Sequence, residues 1–321
     1  MILVTGGAGY IGGVVAEHLL RRGEPVCVYD NLSRGYRDAV PAGADFVEAG
    51  LSDREALKRV FDEKPIRAVM HFAAYALVGE SMRDPNLYFR NNFVNALNLL
   101  EATVAAGVER FVFSSTCAVF GDRVKSPISE DLPKAPINPY GESKLAFEKA
   151  LAWNGAVHGL SYFALRYFNA CGATAERGER HEPETHLIPL VLRAAAGESD
   201  GIRVLGEDYP TPDGTCIRDY IHVDDLAEAH LAALDAPAEK AGFYNVGVGR
   251  GSSVHEVIDT AARVTGKEIP TVSAPRRTGD PPELVADPSK IERELGWKAS
   301  RSLEDSITSA WAFFEKQRGD G

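Results

Sequence analysis

Tyr140 and Lys144 are the pair in this chain with the clearest chemical use. Of its eleven tyrosines, only Tyr140 has a lysine four positions on. On a helix, residues i and i+4 share a face. A free phenol titrates near about 10, too high for a base at neutral pH. A cation held beside it favours the phenolate. A drop of about three units corresponds to roughly 4 kcal/mol. The pair therefore reads as a general base with a cationic partner, in a site that keeps water out. Ser114-Ser115-Thr116 closes an apolar strand, and its hydroxyls can meet a substrate oxygen beside the tyrosine.

A second chemical feature lies at the N-terminus. Thr5-Gly6-Gly7-Ala8-Gly9-Tyr10-Ile11-Gly12 follows an apolar strand and opens a helical pattern. Its glycines permit a tight turn and a close backbone approach to a pyrophosphate. The helix N-terminus offers amides and a positive dipole end to that anion. Asp30 stands 18 positions past Gly12, at the end of the next strand. A carboxylate there accepts bonds from an adenosine ribose and repels a 2′-phosphate, which predicts NAD over NADP.

These groups need a scaffold. Strands are expected at Ile2 to Thr5, Val26 to Asp30, Asp45 to Glu48, Ala68 to Phe72, Phe111 to Ser114 and Tyr162 to Arg166. Amphipathic stretches lie between them at Ile11 to Arg22, Arg54 to Phe61, Asn91 to Ala106 and Tyr140 to His158. This alternation predicts an α/β fold with a doubly wound parallel sheet. After Arg166 the pattern loosens. Prolines and glycines crowd Gly172 to Gly214, and helices return at Leu187 to Ala196, Val223 to Leu234, Val254 to Val264 and Leu303 to Phe314. The expected division is a dinucleotide domain over 1–167 and a smaller mixed α/β substrate domain over 168–321, with interleaved segments.

Composition narrows the class. The 321 residues are 45% hydrophobic and 25% charged, enough for a sizeable core. Thirty-five basic against 46 acidic residues give −11, which argues against a general nucleic-acid or anionic-membrane surface. No run reaches the roughly 20 apolar residues of a membrane span. The four cysteines form no CxxC pair and are expected as reduced thiols in the cytoplasm. His181 and His186 flank acidic residues in a proline-containing loop. With no H-E-x-x-H motif and no Cys/His cluster, no metal site is expected. His71 and His222 are expected as structural hydrogen-bonders.

Taken together, the motifs resemble the extended short-chain dehydrogenase/reductase family, a Rossmann fold, and within it the UDP-glucose 4-epimerases. The resemblance covers essentially the whole chain. VTGGAGYIG (Val4 to Gly12), YDNL (Tyr29 to Leu32), MHFAA (Met70 to Ala74), VGES (Val78 to Ser81), FSST (Phe113 to Thr116) and RYFN (Arg166 to Asn169) are shared with related nucleotide-sugar enzymes. DYPTPDGTCIRDYIHV (Asp208 to Val223) and APRRTGD (Ala274 to Asp280) are specific to UDP-sugar epimerases.

The resemblance implies roles. Tyr140 takes the proton of the sugar 4′-hydroxyl, Lys144 lowers its pKa and holds the nicotinamide ribose, and Thr116 bonds the 4′-oxygen. The 4′-hydride passes to tightly held NAD⁺ and returns to the other face of a 4-keto sugar. Cofactor contacts are implied at Gly6, Gly9, Tyr10, Ile11 and Gly12, then at Asp30, Asn31 and Leu51. Others follow at Phe72, Ala73, Ala74, Asn92, Ser114 and Phe168, with Tyr140 and Lys144. On the UDP-sugar side, Arg218 and Arg277 are implied as the diphosphate clamp. Asn169, His186, Leu187, Arg203, Leu205, Tyr220, Asp280 and Leu284 are implied around the nucleotide and sugar. Ala76 replaces a frequent lysine, Gly50 a frequent aspartate, Phe120 a frequent tyrosine, and His186 an asparagine. Leu284 stands where strict glucose/galactose enzymes carry a tyrosine, which leaves room for N-acetyl sugars. The family also implies a homodimer through a four-helix bundle that includes the helix Asn91 to Ala106.

Other readings use the same scaffold. A UDP-glucuronate or UDP-pentose 4-epimerase differs in a few pocket residues. A 4,6-dehydratase needs Asp-Glu after the strand-end threonine, where this chain has Cys117-Ala118. A non-catalytic dinucleotide sensor would not need both Tyr140 and Lys144.

Overall fold

The structure is a computed structural model that describes residues 1–122, 124–277 and 280–319. Its strands are β1 (Ile2–Thr5), β2 (Val26–Asp30), β3 (Asp45–Glu48), β4 (Ala68–His71), β5 (Arg110–Thr116), β6 (Ser161–Tyr167), β7 (Asn169–Cys171), β8 (Ile202–Leu205), β9 (Ile217–His222), β10 (Gly242–Val246), β11 (Gly251–Ser253), β12 (Thr271–Ala274) and β13 (Glu283–Leu284). The helices are α1 (Tyr10–Arg21), α2 (Arg54–Glu63), α3 (Val78–Arg83), α4 (Pro85–Tyr88), α5 (Asn95–Ala105), α6 (Pro139–His158), α7 (Leu187–Ala195), α8 (Val223–Asp235), α9 (Val254–Thr265), α10 (Ser289–Leu295) and α11 (Leu303–Gly319).

Seven strands form one parallel sheet in the order β10-β6-β5-β4-β1-β2-β3. The alternation of side chains across a strand explains its two covered faces. Ile2 and Val4 of β1, with Val26 and Val28 of β2, join one core with α1 and α8. Leu3, Cys27 and Tyr29 join the opposite core with α2, α5 and α6. Ile2, Leu3 and Val4 are fully buried, and each is worth about 1.5–3 kcal/mol of burial.

The second half, expected as mixed α/β, adds short strands that the sequence pattern does not single out. β11-β9-β13, with β7 on β9, make a four-stranded sheet, and β8 pairs with β12. These strands are two to six residues long, too short for a periodic signal beside so many prolines and glycines. The seventh strand of the main sheet, β10, also comes from this half. The helix expected from Asn91 is continuous with a π-helical turn over Phe89–Val94 that precedes α5.

Candidate active site

The C-terminal ends of β1, β4, β5 and β6 form one edge, where doubly wound sheets hold ligands. Thr5 Oγ1 and His71 Nδ1 bond at 2.7 Å and tie β1 to β4 there. Gly6 follows with φ +74, and a Cβ on it would stand 2.5 Å from the Ala73 amide nitrogen. A Cβ on Gly12 would stand 2.3 Å from the Gly6 carbonyl. Backbone therefore fills both spaces, and only glycine fits. Gly9 is the N-cap of α1, with no side chain capping it and no acid in the first turn. The amides of Tyr10, Ile11 and Gly12 thus begin the helix as an anion cradle. This cradle fits a dinucleotide pyrophosphate.

Asp30 is 8% exposed, and its two oxygens accept from the Ala8 N–H (3.1 Å) and the Leu32 N–H (2.8 Å). Burial pushes its carboxyl up, and those amides oppose the rise. The carboxylate is fixed between the glycine loop and the β2 end with lone pairs to spare. Asn31 is exposed beside it and caps Ser33. Leu51 is buried under the same edge. Phe72 packs on His230 at 4.8 Å, and Ala73 and Ala74 continue the chain past Gly6. Asn92, 1% exposed, clamps Tyr75 through both its N–H and its carbonyl at 2.9 Å. It does so from the π-helical turn, a device common at functional sites.

α6 begins where the catalytic pair was expected. Asn138 Oδ1 caps the Gly141 N–H at 2.8 Å, and Pro139 occupies the first turn. A Cβ on Gly141 would stand 2.6 Å from the Ala118 carbonyl, so the helix start lies tight against the residues after β5. Lys144 is 2% exposed; its Nζ donates to the Ser114 carbonyl at 2.7 Å and lies 4.8 Å from the Phe113 ring centroid. Thr116 Oγ1 accepts from the Ala118 N–H at 3.1 Å. Tyr140, in the first turn of the same helix, is brought to this strand end by that close approach.

The protein's own electrostatics oppose ionisation of both groups. Burial pushes the Tyr140 phenol up to about 12, against the pull of the Thr116 hydroxyl. Burial also pushes the Lys144 ammonium down to about 7, against the pull of Glu148. Desolvation thus dominates in the protein alone, and the expected lowering of the phenol calls on the nicotinamide charge as well as on Lys144.

Sequence reading missed Glu148. It lies four residues past Lys144, is 1% exposed, and receives Arg166 in a fork at 2.8 and 2.7 Å. Ser115 also donates to it at 2.5 Å. The continuation of the i+4 series from Tyr140 through Lys144 to Glu148 was the available signal.

The UDP-sugar candidates gather around β9. Arg218 is an ion-pair partner of Asp280 and donates to the Pro281 carbonyl at 2.9 Å. Leu284 of β13 sits in register with Arg218, and Asn169 of β7 with Tyr220. Asn169 Nδ2 donates to the Asp219 carbonyl at 3.1 Å. Asp219, fully buried between Arg218 and Tyr220, accepts the Val248, Gly249 and Ala286 amides. Strand alternation thus gives two neighbours to the cleft and one to the frame. Phe168 packs with Phe120 and Leu284. His186 caps α7, whose first residue is Leu187. Leu205 pairs in register with Ala274, near the exposed Arg277. Arg203 lies on the exposed side of β8.

The chain matches the model of the NAD dependent epimerase/dehydratase family over residues 2–247. A UDP-glucose 4-epimerase of Streptomyces lividans is 49% identical over 313 residues, covering 96% of this chain and 94% of that protein. The structure of UDP-glucose 4-epimerase from Brucella ovis in complex with NAD superposes with TM-score 0.93 at 46% identity, over 97% of this chain and 98% of that one. The UDP-Glc/GlcNAc 4-epimerase from Campylobacter jejuni superposes with TM-score 0.86 at 42% identity, over 98% and 99%. With a doubly wound sheet, a backbone cradle at β1 and near-full-length relatives of this kind, the chain belongs to the NAD dependent epimerase/dehydratase family.

Proposed function

We propose that the chain interconverts UDP-galactose and UDP-glucose as an NAD-dependent 4-epimerase. The observation that carries this is that the first turn of α6, which bears Tyr140 and Lys144, lies against the β5 end at Ser114 and Ala118, beside Thr116 and on the sheet edge that holds the glycine cradle. The loop Gly6 to Gly12, with Asp30, would hold the pyrophosphate and adenosine ribose of NAD. Bound NAD⁺ supplies a reversible hydride store and a positive charge. Tyr140 removes the proton of the 4′-hydroxyl and later returns it, while Thr116 positions the 4′-oxygen. Lys144, buried beneath the tyrosine, holds the nicotinamide ribose and shares in lowering the phenol once a second cation is present. Arg218 and Arg277 hold the diphosphate.

The dehydratase alternative lacks its acid. Cys117 follows Thr116, and burial holds its thiol up to about 12. Leu284, packed with Phe120 beside Arg218 rather than closing the sugar pocket with a phenol, favours acceptance of UDP-N-acetylglucosamine and UDP-N-acetylgalactosamine. The cofactor is assigned to residues 1–167 and the UDP-sugar to 168–321, with β10 and α8 crossing back. A homodimer is supported by four exposed apolar side chains near or on α5 and α6: Phe89, Val94, Trp153 and Val157, at 37%, 51%, 71% and 67%. Light scattering at twice 34.7 kDa is the expected result. Among the described residues no helix is long and apolar enough to cross a membrane. The four free thiols suit a reducing cytoplasm.

Proton NMR of the purified protein with UDP-galactose, and no added cofactor, tests the reading. Growth of the UDP-glucose anomeric signal to a steady mixture is expected. No change, even with added NAD⁺, would overturn it.

A further inference from the structure

The loop from Gly172 to His186, between β7 and α7, gathers four side chains that the sequence keeps apart. One ring nitrogen of His181, one of His186 and a carboxylate oxygen of Glu179 lie within 4.8 Å of one another. His181 Nδ1 hydrogen-bonds Glu179 Oε1, and His186 Nδ1 is 3.9 Å from Glu179 Oε2. The two imidazole centroids are 5.4 Å apart. Glu184 stands behind His186: its Oε1 meets His186 Nδ1 at 2.7 Å and accepts the Thr185 and His186 N–H groups at 2.6 and 2.7 Å.

The charges here do not balance. The Glu179 and Glu184 side chains are 13% and 1% exposed. Among the described residues, no lysine or arginine forms an ion pair with either. Of the nearby arginines, Arg34 pairs with Glu80 and Arg180 with Asp38, and Arg277 acts on His186. His186, paired with Glu184, offsets at most one of the two carboxylates. A divalent cation would offset both.

We propose that Glu179, His181 and His186 bind one divalent transition-metal ion of the zinc class. Two imidazole nitrogens and a carboxylate oxygen are a ligand set that suits this class, with water in the fourth position. Tetrahedral ligands at zinc distances stand about 3.3 Å apart, so the side chains need adjust only slightly. Glu184 holds His186 Nδ1, which leaves Nε2 of that ring for the ion, as carboxylates behind metal-bound histidines do. The ion staples the loop to the N-cap of α7. His186 then serves the UDP-sugar side indirectly, by fixing Leu187 and the first turn of α7. This proposal stands independently of the reaction assigned above.

The test uses the full-length protein with its cofactor. It is loaded with Zn²⁺, desalted and assayed for metal by mass spectrometry; a parallel sample is loaded with Co²⁺ and read by visible absorption. Near one equivalent of zinc and intense tetrahedral Co²⁺ bands are expected. Glu179→Gln and His181→Ala should each weaken zinc binding about 10–100-fold, and zinc should raise the melting temperature of the parent but not of the variants. Two variants are used because the isosteric Glu179→Gln preserves packing. Equal zinc retention by parent and variants would overturn the proposal by placing the ion elsewhere. A melting temperature that ignores zinc but falls as the imidazoles deprotonate would also overturn it, showing protons in place of a metal.

Discussion

The two sides of the cleft are built by different means. The cofactor side is held by backbone. Gly6 and Gly12 lie against carbonyls and amides with no space for a side chain, Asp30 is fixed by two amides, and Lys144 is fixed by a carbonyl. The UDP-sugar side is held by side chains: Arg218 by Asp280, His186 by Glu184, and β9 by the buried Asp219. A backbone-built surface cannot re-form around a substitution. A side-chain-built surface can move to accept different sugars. Rigidity thus sits where one cofactor is always bound, and adaptability where substrates exchange.

That contrast can be broken at four points. Tyr140→Phe should lower kcat by roughly 10²–10⁴ with NAD retained, measured by the NMR assay and by cofactor absorbance after denaturation. Gly6→Ala should destabilise the protein by about 1–3 kcal/mol and strip the cofactor, measured by denaturant unfolding and the same absorbance. A Gly6→Ala protein that keeps NAD would show that the cradle is not rigid. Arg218→Lys should raise KM for UDP-galactose by about tenfold with a smaller change in kcat, since an ammonium cannot reproduce the guanidinium fork.

The smallest effect is a slope. Burial sets the Lys144 ammonium at about 7 in the cofactor-free fold, against 10.5 for a free lysine. Between those limits the unfolded chain holds a proton that the native state has released, so stability rises with pH across that window. The limiting slope is about 1.4 kcal/mol per pH unit. Lys144→Met should flatten the rise, read as the difference in unfolding free energy between parent and variant at pH 7 and pH 9. An unchanged difference would mean that the lysine is hydrated.

The legibility of the sequence follows the same division. β1 and β2 lie at the expected residues because buried parallel strands are near-continuous apolar runs; β3 also lies there, although as an edge strand it is only half-buried and carries an acid at each end. The pairing of Tyr140 with Lys144 was visible because a helix imposes one spacing. The sign of the Tyr140 shift was not visible, since spacing reports neighbours but not how much water is excluded. β7, β9 and β13 were hidden because they pair with strands far off in the sequence, as in Asn169 with Tyr220 and Glu283 with Ile217. Arg218 with Asp280 is such a case, 62 residues apart. His181 and His186 were weighed as metal ligands and set aside for a different reason. The spacing was in plain view, but a proline-containing loop has no fixed pitch by which to say whether its ligands converge.

β10 pairs with β6 through Gly242–Val246, although β6 itself ends at Tyr167. During synthesis, then, the first six strands leave the ribosome well before the strand that closes the β6 edge. For the time needed to make those further residues, β6 presents an open row of amides and carbonyls. Nascent chains in this interval are vulnerable to edge-to-edge association. A chain stalled between Tyr167 and Gly242 is therefore the species for which a cell's holdase chaperones would matter most.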